Sequence, residues 1–68
     1  MASLAEDLPK QQARCRTILE HALDLPPASG WFLVSELRAA LARAERAASS
    51  GDLIEMIRSY KELKEFQE

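Results

Sequence analysis

The sequence predicts an all-α fold, a small up-down-up three-helix bundle. Three observations carry that prediction. Apolar residues recur three and four apart in three separate segments, which is the period of an amphipathic helix. No segment shows the strict alternation of a half-buried strand. Two sets of breakers, Leu25-Pro26-Pro27 and Ser49-Ser50-Gly51-Asp52, divide the segments at intervals suited to helices packed side by side. With 68 residues, the chain is expected to be one helical domain, residues 1–68, near the size at which a single core leaves little net stability.

The first helix is expected at about 8–24, with residues 1–6 frayed. Asp7 is the expected N-cap, because a start at Ser3 places Pro9 beyond the first turn, where its ring clashes and a hydrogen bond is lost. On a helical projection Leu8, Cys15, Ile18, Leu19, Ala22 and Leu23 share one face, and Lys10, Arg14, Thr17, Glu20, His21 and Asp24 share the other. Pro26 and Pro27 make 25–29 a stiff loop, with Ser29 as the next cap. The second helix, about 30–49, has the clearest period: Val34, Leu37, Leu41, Ala44 and Ala48, widened by Leu33, Ala40 and Ala47. Alanines on a packed face let a neighbouring helix approach closely.

The turn between the second and third helices is the strongest local signal. Glycine reaches a left-handed backbone at low cost just past a helix end, and aspartate is a preferred N-cap. Gly51 therefore stops one helix and Asp52 starts the next, with Glu55 spaced to complete a capping box. The third helix, about 53–66, carries Leu53, Met56, Ile57, Tyr60 and Leu63 on its expected inner stripe. Leu37, Leu41, Ile57 and Leu63 are the expected core. The pairs Arg58/Glu62, Lys61/Glu65 and Lys64/Glu68, each four apart, look like a solvated face.

Four residues do not fit the stripes. Trp31 and Phe32 lie roughly 120–140° from the centre of the second helix's apolar face, Ile54 by a similar angle from that of the third, and Phe66 by roughly 110°. Trp31 and Phe32 could fold over the proline loop and close the bundle end. Alternatively Trp31, Phe32, Ile54 and Phe66 are partner-binding residues, since aromatics in an uncharged patch are the usual anchors of an interface. A homodimer through the second or third helix is expected, because a chain this short buries too little surface by itself.

No catalytic residue, cofactor or metal ligand set is expected. The single cysteine rules out an internal disulfide and suggests a reducing, intracellular, cytoplasmic setting. Cys15 lies on an apolar face, where a free thiol acts as a small hydrophobe, and with His21 six residues on it cannot complete a zinc site. The two glycines are too far apart for a phosphate-cradling loop. No signal peptide or membrane span is expected. A net charge of -2 with both signs interspersed argues against nucleic acid at the level of the whole chain, although Lys10, Arg14 and Arg16 form a cationic stretch that a nucleic-acid-associated regulator would use.

Two resemblances follow from the C-terminal half. Residues 44–63, with small residues on the first helix, the Gly51-Asp52 turn and Tyr60 on the second, resemble a single tetratricopeptide-type hairpin. That implies peptide or protein binding. The segment departs from the family at Met56 and Leu63, where alanine is favoured, and at Ala44, where glycine is; no second repeat follows. Residues 50–60, with Leu63 and Lys64, look like the C-terminal end of small helical proteins of phages and prophages, a resemblance that implies no activity. The expected function is therefore a non-enzymatic protein-interaction or oligomerisation module, such as an accessory protein on a larger partner.

Overall fold

The computed structural model describes residues 3–67, the side chains of residues 27–29 excepted. Among these residues there is no strand. Three helices, α1 (Leu4–Leu23), α2 (Pro27–Ser50) and α3 (Leu53–Lys64), each pack on the other two as a three-helix bundle. Short connections force neighbours in sequence to run antiparallel. The core is formed by Leu8, Cys15 and Ile18 of α1, Leu37, Ala40 and Ala44 of α2, and Leu63 of α3. Alanine supplies the buried positions in the second half of α2, as expected of a close helix contact.

Helix α1 starts earlier than its sequence suggests. Ser3, not Asp7, is the N-cap, without a side-chain bond, and Pro9 sits inside the helix. The amides of Glu6 and Asp7 both donate to the Ser3 carbonyl, at 3.0 and 2.8 Å. Leu4 packs against the core, so the extra turn gains burial that offsets the one hydrogen bond Pro9 cannot make to exposed Ala5. Residues 3–6 are therefore not frayed; residues 1 and 2 lie outside the described residues.

Helix α2 also begins early. Pro27 is its first residue, behind Pro26, because proline at the first helical position has its φ preset and lacks an amide that would have no partner anyway. Ser29, expected as the N-cap, falls inside the helix. Gly30 donates to the Pro26 carbonyl at 3.1 Å and is buried where α2 crosses the end of α1. A Cβ there would stand 2.8 Å from the Ala22 carbonyl oxygen and 3.2 Å from the Leu25 Cβ. Glycine is required by that close approach.

The second turn is as read. Gly51 has φ 71° and its amide donates to the Ala47 carbonyl at 3.1 Å. Asp52 caps α3 by accepting from the Glu55 amide at 3.2 Å. The return half of the box is replaced: the Asp52 amide donates to Ser50 Oγ at 3.3 Å, and the Glu55 carboxylate pairs with Arg58 at 3.0 Å. Glu62 turns to Arg43 of α2, in two hydrogen bonds of 3.1 and 2.7 Å. Of the pairs expected on this face, Lys64/Glu68 lies partly outside the described residues.

The inner face of α3 is rotated by roughly 60° from the expected stripe. Ser59 and Leu63 are buried, and Met56, Tyr60 and Phe66 are half-buried against the core. Leu53 is exposed and Ile57 is 41% exposed, which removes Ile57 from the core. Leu41 is only half-buried. A buried serine brings the α3 backbone in on one side; the helix ends at Lys64, short of the expected residue 66, and Phe66 packs on the core from beyond the Glu65 cap.

Candidate functional site

The helices differ in length, and the difference creates the most unusual surface of the molecule. α3 has 12 residues against 20 in α1 and 24 in α2. It rises from the Gly51 turn and stops beside the middle of α1, where Arg14 receives its end. Arg14 donates from Nη2 to the Leu63 carbonyl and from Nη1 to the Phe66 carbonyl, both at 2.6 Å, while Nε donates to Gln11 Oε1 at 2.8 Å. The Cys15 thiol adds a longer bond to the Leu63 carbonyl, at 3.4 Å. Carbonyls left over at a helix C-terminus are thus satisfied from a neighbouring helix, and the guanidinium sits where the helix dipole favours a cation.

Beyond that level α1 and α2 pair with no third helix beside them. Trp31 and Phe32, in the second turn of α2, are each 64% exposed. Their rings meet edge to face, 6.0 Å between centroids and at 90°, an arrangement that fixes both side chains without burying them. They do not close the bundle end. On the Trp31 side a groove of about 440 Å³ runs between α1 and α2 over Leu23, Leu25 and Val34, with Gly30 in its floor and Arg38 at its edge. On the Phe32 side a notch of about 360 Å³ separates the start of α2 from the end of α3; Phe32, Leu33 and Phe66 line it together with Glu36, Glu62 and Glu65.

Of the four residues singled out in the sequence, this end of the molecule brings together three. Trp31 and Phe32 stand on its outer face, and Phe66 faces Phe32 across the notch while packing on the core. Ile54 does not belong there. It is 64% exposed in the first turn of α3, at the far end of a helix α2 that is about 36 Å long at 1.5 Å per residue. With Leu53 and Ile57 it makes a separate, smaller apolar patch. Sequence reasoning missed Leu23 and Leu25, both exposed, and the carboxylates of the notch.

Other candidate chemistry is weaker in place. Cys15 is fully buried, and burial pushes its thiol pKa up against a smaller lowering pull from Arg14, so the reactive thiolate is disfavoured. The cationic stretch loses its middle member to the α3 end, leaving Lys10 and Arg16 exposed. Among the described residues no three of His, Cys, Asp and Glu form a group able to hold a metal ion, and no helix is long and apolar enough to cross a membrane. In comparisons with known proteins, no family model matches the chain, and neither does any curated protein or solved structure.

Proposed function

We propose that the protein is a non-enzymatic docking module that binds another protein, or a second copy of itself, through the open end of the α1–α2 hairpin. The observation that carries this reading is the exposure of Trp31 and Phe32, 64% each, at the point where the third helix is absent. Leaving two aromatic rings in water forgoes about 2 kcal/mol or more apiece relative to burying them. An interface recovers that, and tryptophan is among the commonest interface anchors. The chain exposes 4801 Å², whereas a compact monomer of its size scales to about 4300 Å²; the surplus is of the order of one side of a small interface.

The test is a comparative capture. Tagged wild type, the double variant Trp31→Ala/Phe32→Ala and the control Ile54→Ala are each used to isolate partners from the source cells. The expected result is a protein retained by wild type and Ile54→Ala and lost by the double variant, with circular dichroism showing that all three are folded. Identical sets from all three proteins would place the interface elsewhere. Retention of the wild type on immobilised DNA at moderate salt, weakened by Lys10→Ala and Arg16→Ala, would favour the nucleic-acid reading instead.

A further inference from the structure

The notch on the Phe32 side has a chemistry that selects its occupant. Its apolar walls are Phe32, Leu33 and Phe66, and its rim is Glu36, Glu62 and Glu65. Glu62 is held by Arg43 at 2.7 Å. Among the described residues neither Glu36 nor Glu65 has a basic side chain within ion-pair distance. Glu36 lies in the field of that same Arg43, so the notch is an apolar slot whose three carboxylates share one guanidinium, with Glu36 on the α2 lip and Glu65 on the cap of α3.

Its position is equally specific. It lies between the start of α2 and the end of α3, so that an occupant there packs against both. Along α2 the lining of the notch runs from Phe32 to Glu36, about 6 Å or roughly one helical turn. A helix seats apolar residues at i, i+3 and i+4 within one turn, and helix-in-groove docking uses that spacing.

Resting on the reading that this end of the molecule is the binding end, we infer that the notch receives an amphipathic helix of a different protein, apolar toward Phe32, Leu33 and Phe66 and carrying lysine or arginine on the flanks that meet Glu36 and Glu65. A second copy is the poorer fit. A two-fold contact across the notch would bring two acidic rims together, and each chain already carries a net charge of -2.

The experiment uses the full chain and two fluorescein-labelled synthetic helices of about 18 residues, identical in their leucine stripe, one with lysine flanks and one with glutamate flanks. Fluorescence anisotropy titrations at low salt should show the lysine peptide binding at least about tenfold more tightly, with the advantage shrinking as salt is raised. Glu36→Gln combined with Glu65→Gln should remove most of that advantage, Phe32→Ala should weaken both peptides, and Ile54→Ala should change neither. Equal binding of the two peptides, or an advantage that survives the double glutamine variant, overturns the inference. So does a dimer at working concentration that Phe32→Ala dissolves, because the second copy then fills the slot. If the peptides bind alike while Trp31→Ala/Phe32→Ala still loses a captured protein, the docking reading stands and only the cationic helix falls.

Discussion

The two ends of the bundle are built from the same kind of helix and reach opposite results. From the Gly51 turn to the end of α3 three helices meet, and α2 buries small residues there: Ala40, Ala44 and Ala47, the first two in one cluster with Leu8 and Leu63. Around the proline loop only α1 and α2 meet, and α2 presents Trp31 and Phe32 to solvent. Amphipathic period says that a helix has an inner face; it does not say how many neighbours share it. Where a third helix is present, close approach favours small side chains, and where it is absent the larger ones have nothing to pack under. The difference lies in packing, and it sets which end leaves its aromatic side chains in water.

Truncation in the closed end should have the largest effect. Leu37 and Leu63 are fully buried, so Leu37→Ala or Leu63→Ala is expected to cost about 3–5 kcal/mol, most of the stability of a domain this small. Ile57→Ala, on the outer side of α3, should cost roughly 1 kcal/mol or less. Denaturant melts of the three variants check this. Similar losses for Ile57 and Leu63 would restore the unrotated stripe and break the comparison between inner and outer α3.

The boundary between the ends is held by Arg14. Removing its side chain leaves the Leu63 and Phe66 carbonyls without their donor, at about 2 kcal/mol for a charge-assisted pair of bonds. Arg14→Lys should recover little, because an ammonium cannot reproduce the guanidinium fork. Hydrogen exchange should quicken first in the last turn of α3. The neighbouring Cys15 adds a pH dependence: its folded-state pKa is raised, so its contribution is complete below the ordinary thiol pKa and declines as pH rises through the folded value. Loss of stability on the acid side attributable to Cys15 would contradict that sign.

A smaller effect, with a decisive sign, is expected at Gly30. Helix propensity alone makes Gly30→Ala stabilising by up to about 1 kcal/mol. The backbone carbonyl of Ala22, 2.8 Å from where the new methyl would stand, makes it destabilising instead, by roughly 1–3 kcal/mol, since the two helices must part. Amide exchange should then rise in the first turns of α2 and the last of α1, while the Gly51 end keeps its protection. A raised melting temperature would show that α1 and α2 do not approach as closely as this.

Much of this architecture can be read from residue order. The helix periods, the alanine face of α2 and the Gly51-Asp52 turn are local properties, and local rules reach them. The extra turn of α1 is not, because it depends on Leu4 finding the core, which outweighs the bond lost at Pro9. The rotation of α3 was hidden for a related reason: serine reads as polar, and only tertiary packing shows that Ser59 is buried for its size. Arg14 fell on the polar face of α1, yet its long side chain crosses to another helix, and a projection of one helix cannot show that. All four candidate residues were legible as misfits to their stripes. Their grouping was not, since it follows from where α3 stops.

The smallest expected change in stability belongs to the residues of greatest functional interest. Trp31 and Phe32 contact each other edge to face and are otherwise largely in water, so Trp31→Ala or Phe32→Ala should move the stability of the isolated chain by about 0.5–1 kcal/mol, the worth of one aromatic pair. The two should not be additive, because either substitution removes the same contact; the double variant should cost little more than the single ones. Concentration gives the second arm. If the open end pairs with a second copy, the wild-type melting temperature rises with protein concentration and that rise disappears in the double variant. If it serves a different protein, the melting temperature is independent of concentration in both. A loss of several kcal/mol from Trp31→Ala at every concentration would mean that the aromatics are buried in the monomer, and that the two ends of the bundle are equally closed.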